Sequence, residues 1–181
     1  MKMFYFEGEL NEENVFPFLE ELSSKAKEDI TIYFASVGGN PSLSYVFADS
    51  LWRLTKNDIR IKIIFYEHVH SACFFFLYLL SKQKEELKST KLRESGDEIS
   101  WSFVNTCYGI MHSVTHSIDK ENNVLFETET KLTSQINDLF IAAHAKKLTK
   151  QEKELFKKGK EIVFDAAKLQ KLFGGDIIKV I

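Results

Sequence analysis

A serine, a histidine and a pair of glycines stand where this chain could assemble nucleophilic chemistry. Ser71 falls at the junction of an apolar β-prone run and an apolar helical run. At such a junction a hydroxyl can face a cleft with a helix N-terminus behind it, and the N–H of Ala72 is next in the chain. Gly38-Gly39 ends another β-prone run just before a helix. Adjacent glycines let backbone N–H groups approach a ligand without Cβ interference, near a positive helix end. Gly39 and Ala72 are therefore candidate donors to a tetrahedral oxyanion. His112 ends a third strand-like run, a rigid place from which an imidazole can act as a base. A base needs an orienting group, for which the candidates are Glu161 and Asp165.

Each of these residues also has a plain structural reading. Ser is a favoured helix N-cap. Gly-Gly suits any sharp turn. The pair carries neither GxGxxG nor the Lys and Ser/Thr of a phosphate loop. His68 and His70 alternate around Val69 and share a face of an extended segment, but a metal needs a third ligand and none is evident. No metal and no cofactor is expected. His144, within a long helical pattern, reads as a surface or interface residue.

The elements that position these residues follow from periodicity. Met3 to Phe6 is β-prone and Gly8 breaks it. Asn11 to Lys27 has Val15, Phe18, Leu19 and Leu22 at helical spacing. Asp29 to Ala35 is a buried strand ending in the turn signal SVGGNP. Ser42 to Thr55 is a helix with Leu43, Val46, Phe47, Leu51 and Leu54 on one side. Ile59 to Tyr66 is a second strand, and Ser71 to Lys84 a helix apolar nearly all round, hence buried. The order strand, turn, helix, strand, helix predicts right-handed βαβ units on a mainly parallel sheet, an α/β fold. Beyond a polar stretch with a loop at Ser95-Gly96-Asp97, Ile99 to Met111 returns to strand character. Phe126 to Lys147 reads as a long amphipathic helix, Thr149 to Lys160 as a charged one, and DIIKVI as a closing strand.

The 181 residues suit one domain, 1–181, with a sizeable core, since no repeat or linker interrupts them. Sixteen phenylalanines predict a Phe-rich core or interface. A net charge of -2 argues against a partner bound through a general basic field, so no nucleic acid is expected. Cys73 and Cys107 form no CxxC or zinc pattern and lie in apolar segments. They read as buried free thiols in a reducing compartment. The N-terminus turns acidic within seven residues, unlike a signal peptide, and the apolar run Ala72 to Leu80 is too short to span a bilayer. A cytoplasmic protein without a membrane partner is the expectation.

In order along nearly the whole chain, these segments resemble the Clp-type caseinolytic serine peptidases of the ClpP/crotonase-like superfamily. DITIYFASVGGNPSLSYVFADSLWRL is similar to the family's strand, SPGG turn and helix. IRIKIIFYEHVHSACFFFLYLLSK resembles the next strand and the nucleophile helix, which aligns Ser71 with the catalytic serine. GIMHS resembles the strand-end MHQ segment and aligns His112 with the catalytic histidine. FETETKLTSQINDLFIAAHAKKLTKQE resembles the long handle helix, and FDAAKLQKLFGGDIIKVI the closing segment. Departures are specific. Val37 replaces a proline, Glu67 and Cys73 replace glycines, and Ser113 replaces a glutamine. Ile162 stands at the expected aspartate, with Glu161 adjacent. The stretch between Ser71 and His112 is longer, and the N-terminal segment that lines the axial pore and helps dock unfoldase ATPases has no counterpart.

The resemblance implies a serine endopeptidase, a hydrolase cutting peptides or unfolded proteins by acyl transfer. Ser71 would attack, His112 act as base and then acid, Glu161 orient it, and Gly39 and Ala72 hold the oxyanion. It also implies a homo-oligomeric ring, or two rings stacked through handle helices, with a Clp ATPase as an open question. The rivals are a catalytically inactive ring subunit, an acyl-CoA enzyme on the crotonase fold, and a binding module without chemistry.

Overall fold

The computed structural model describes residues 1–90, 98–112 and 138–180. Element order is β1 (Lys2–Leu10), α1 (Glu12–Lys25), β2 (Ile30–Gly39), α2 (Pro41–Thr55), β3 (Ile61–Val69) and α3 (Ala72–Thr90). There follow β4 (Ile99–Val104), β5 (Tyr108–Met111), α4 (described over 138–144), α5 (Lys150–Lys157), β6 (Ile162–Asp165), α6 (Ala166–Phe173) and β7 (Asp176–Ile178). The chain resolves into two compact units. The first is Met1–Ile110 with Val163–Ile181, and the second is Met111–Ile162.

The first unit is built on a sheet ordered β1-β2-β3-β4-β7, with β5 pairing β3 and β6. The β1–β2, β2–β3, β3–β4, β3–β5 and β4–β7 pairings are all parallel. Central β2 is buried on both faces over most of its length, as a near-continuous apolar run in a parallel sheet should be. Edge strand β1 alternates instead, burying Phe4, Phe6 and Leu10 and exposing Met3 and Tyr5.

Phenylalanines fill the space between sheet and helices. Phe34 stacks on Phe6 and Phe76, with ring centroids 5.1 and 5.2 Å away, and meets Phe47 and Phe65 edge-on. Phe65 stacks in turn on Phe103 of β4. Such pairs add to the area each ring removes from water. The Phe-rich core expected from composition is this cluster. Helix starts follow their caps: Asn11, Asn40 and Asp165 each lie in the extended region and accept a backbone N–H from the first turn.

Several boundaries differ from the periodicity: β1 runs through Gly8 to Leu10 instead of breaking there, and α3 runs on to Thr90. The strand read over Ile99 to Met111 is two strands, β4 and β5, because a turn at Asn105-Thr106 interrupts it and Cys107 N–H donates to the Val104 carbonyl. The four-residue β6 before α6 was too short to show a period.

Within the second unit, Phe140 of α4 stacks on Phe156 of α5 at 5.7 Å. Thr149 opens α5 with a capping box, accepting from Glu152 N–H while the Glu152 carboxylate accepts from Thr149 N–H at 2.6 Å. His144 proves to be buried rather than a surface residue. It stacks on Phe140 at 4.5 Å, and its Nδ1 lies 3.2 Å from the Phe140 carbonyl. The long helix read over 126–147 is helical where described and ends in turns at 145–147. Its earlier part lies outside the described residues.

Candidate active site

Two strand ends in the first unit meet at Ser71. The β2–β3 ladder runs in register from Ile30↔Ile61 to Phe34↔Phe65, then jumps to Ser36↔Val69. β3 therefore carries extra residues opposite Ala35, and Glu67 in that bulge has φ 26°. The chain next turns at His70-Ser71. Ser71 has φ 50°, the left-handed region, where a non-glycine residue stores on the order of 1–3 kcal/mol of strain. Neighbours hold it there. Ser71 N–H donates to the Ile110 carbonyl of β5 at 2.9 Å, and His70 N–H to the Ser36 carbonyl at 3.0 Å. Cys73 N–H closes onto His70 and Phe74 N–H onto Ser71 as α3 begins.

That conformation separates Ser71 from the chain's helix caps. Asn11, Asn40, Thr149 and Asp165 are extended and each accepts a first-turn N–H. Ser71 is left-handed, and among the described residues its hydroxyl has no hydrogen-bond partner. A half-buried serine at a strained strand-to-helix turn, its Oγ uncommitted, has the disposition of a nucleophile elbow.

The glycine turn lies against it. A Cβ on Gly38 would meet Ser71 Cβ at 2.6 Å, the His70 carbonyl at 2.8 Å and Ala72 N at 3.1 Å. Only glycine fits there, and its φ of 94° gives a second reason. Gly38 N–H donates inward to Ser36 Oγ at 3.1 Å. Gly39 backs onto β1, where a Cβ would meet the Leu10 carbonyl at 2.5 Å. The next residue, Asn40, donates its N–H to that same carbonyl at 2.8 Å. Ala72 is buried, and its carbonyl accepts from Ser44 Oγ of α2 at 2.9 Å, tying the head of α3 to α2.

Thiol chemistry has no support here. Cys73 lies two residues from Ser71 but is fully buried, and desolvation pushes its thiol up to about 12. Cys107 is held at about 12 for the same reason. Both are free, as the sequence suggested. His68 and His70 do share a side, with ring centroids 5.2 Å apart, and Tyr108 stands 5.2 Å beyond His70. Among the described residues no group of three His, Cys, Asp or Glu side chains forms a metal site.

The remaining candidates are His112, Glu161 and Asp165. His112, half-buried, follows β5 directly and belongs with Glu161 to the second unit, while Ser71, Ala72, Gly38 and Gly39 belong to the first. Glu161 is exposed. Asp165 caps α6, its Oδ1 accepting the Lys168 N–H at 2.8 Å. Sequence reasoning passed over Ser36, although the Ser-x-Gly spacing of SVGG is the signal of a hydroxyl closing on the N–H two residues on.

A parallel sheet whose βα turns bring Gly38 against Ser71 and Ala72 is an α/β arrangement. Among solved structures the chain is similar to a ClpP1 point mutant from Listeria monocytogenes, with a TM-score of 0.59 and 16% identity over 98% of this chain and 91% of that one. At that identity the likeness establishes the fold. No protein-family model and no curated protein sequence matches the chain. No described helix is long and apolar enough to cross a membrane.

Proposed function

We propose that this chain is a serine-type peptidase of the Clp kind, acting on peptides or unfolded protein chains. The observation that carries the reading is Ser71, held left-handed at the head of α3 with no hydroxyl partner among the described residues, against a glycine that tolerates no side chain. In this reading Ser71 Oγ attacks the scissile carbonyl while His112 takes its proton. His112 then returns the proton to the leaving amine, and water repeats the cycle on the acyl-enzyme. Glu161 orients the imidazole. The N–H groups of Gly39 and Ala72 hold the oxyanion. Gly38 N–H donates to Ser36 Oγ and Asn40 N–H to the Leu10 carbonyl, so this reading assigns the oxyanion to the Gly39 N–H between them.

A fluorophosphonate probe tests the proposal. Labelling of the wild type at Ser71, found by peptide mapping and absent from Ser71→Ala, supports it. A wild type that never labels, under conditions where a known serine hydrolase does, rejects it. The second reading is a non-catalytic ring subunit. Two observations favour it: Glu67 is a strained non-glycine in the bulge before the serine, and Ile162 stands where the family carries aspartate.

A further inference from the structure

We infer that Ser36 is a positioning residue that locks the glycine turn to the Ser71 turn. The inference rests on the peptidase reading for its catalytic consequence, though not for its geometry. Ser36 is fully buried at the point where the β2–β3 register breaks. Its carbonyl accepts the His70 N–H at 3.0 Å and the Cys73 Sγ–H at 3.6 Å, so it grips the turn on both sides of Ser71. Its hydroxyl accepts the Gly38 N–H at 3.1 Å. Gly38 in turn presses on Ser71 Cβ, the His70 carbonyl and Ala72 N. One residue thus holds two turns, its main chain one and its side chain the other.

The two halves have different consequences. The carbonyl bonds survive any side-chain substitution. The hydroxyl bond does not, and its loss removes the side-chain partner of the buried Gly38 N–H. The Gly38 peptide, still paired with Glu9 of β1, is then held less tightly on the Ser71 side. Because it packs directly on Ser71, that looseness passes to the nucleophile turn. The Gly39 N–H, next along the chain, loses its fixed aim at the same moment. Ser36 touches no substrate in this account. It acts by holding the groups that do.

Ser36→Ala is the direct test, with Ser36→Cys as a second variant of similar volume whose sulfur is a poor acceptor. Hydrogen–deuterium exchange is followed by mass spectrometry on peptides covering 36–40 and 70–74. Loss of one buried hydrogen bond should speed exchange in both peptides by roughly fivefold to tenfold. A residue with only a local role would change 36–40 and leave 70–74 as in the wild type, and that result overturns the inference. If Ser36→Ala fails to fold, Ser36→Cys supplies the same comparison. In parallel, fluorophosphonate labelling of Ser71 should slow about tenfold in its inactivation rate at unchanged probe affinity. A weakened affinity with an unchanged rate contradicts the positioning role. A wild type that shows no labelling at all, with exchange in 70–74 still responding to Ser36, removes the peptidase reading and retains the link between the turns.

Discussion

Ser71 owes its character to backbone as much as to its hydroxyl. Ser71→Ala keeps Cβ and the left-handed turn, so fold and assembly should persist while hydrolysis of a fluorogenic peptide falls to background. Equal rates for the two proteins would remove the nucleophile from the scheme. The carboxylates divide in the same manner. Asp165 already has an occupation as the cap of α6, and Asn caps about as well, so Asp165→Asn should be mild. Glu161→Gln should cost roughly two or more orders of magnitude in turnover if it orients His112. Measured on one substrate, a crippled Asp165→Asn beside an unaffected Glu161→Gln would reverse that choice. Ser71 and Gly38-Gly39 could be picked from sequence because their neighbours carry a strand-then-helix pattern. Their φ values could not, since no local propensity demands a left-handed serine. That conformation is imposed by Ser36, Ile110 and Gly38, residues distant along the chain or on another strand.

Strands and helices were easier to anticipate where burial is two-sided or periodic. β2 and β3 announce themselves as β-branched and aromatic runs, and α2 by its apolar stripe. The break between β4 and β5 escaped notice because Ile99 to Met111 is apolar on either side of Asn105-Thr106, and a two-residue turn leaves the period nearly intact. The phenylalanine cluster is where these elements are joined. Phe34→Ala removes a ring that contacts β1, α2, β3 and α3 together, and should cost about 3–5 kcal/mol in urea unfolding. A loss below 1 kcal/mol would mean that the cluster closes over the gap.

Assembly and pH response concern the protein in bulk. The handle-like helix read over 126–147 motivates a self-associating chain, so light scattering at micromolar concentration should report a mass several times 21.0 kDa. A clean monomer contradicts the ring. His144 adds a pH dependence. Burial lowers its pKa from 6.5 to about 4, with the nearby Lys147 charge acting the same way. The folded chain therefore keeps it neutral where the unfolded chain takes a proton. The stability of the neutral form is complete above pH 6.5, is lost as pH falls toward 4, and levels off below. The total is at most a few kcal/mol. His144→Phe should flatten the urea midpoint between pH 7 and 5, whereas a wild-type midpoint constant over that range would contradict the assignment.

Cys73 and Cys107 give the molecule an internal clock. Both sulfurs are sealed in the first unit and held as thiols far above neutral pH. Alkylating reagents consume thiolate at the surface, so neither cysteine can react until its surroundings open. Iodoacetamide uptake under native conditions then counts opening events rather than collisions. When closing outruns alkylation, the observed rate divided by that of a free thiol is the fraction of time each site stands open. Cys73 beneath the Ser71 turn and Cys107 before β5 would time two openings separately. If Phe34→Ala loosens the core as a unit, both clocks should quicken by the same factor.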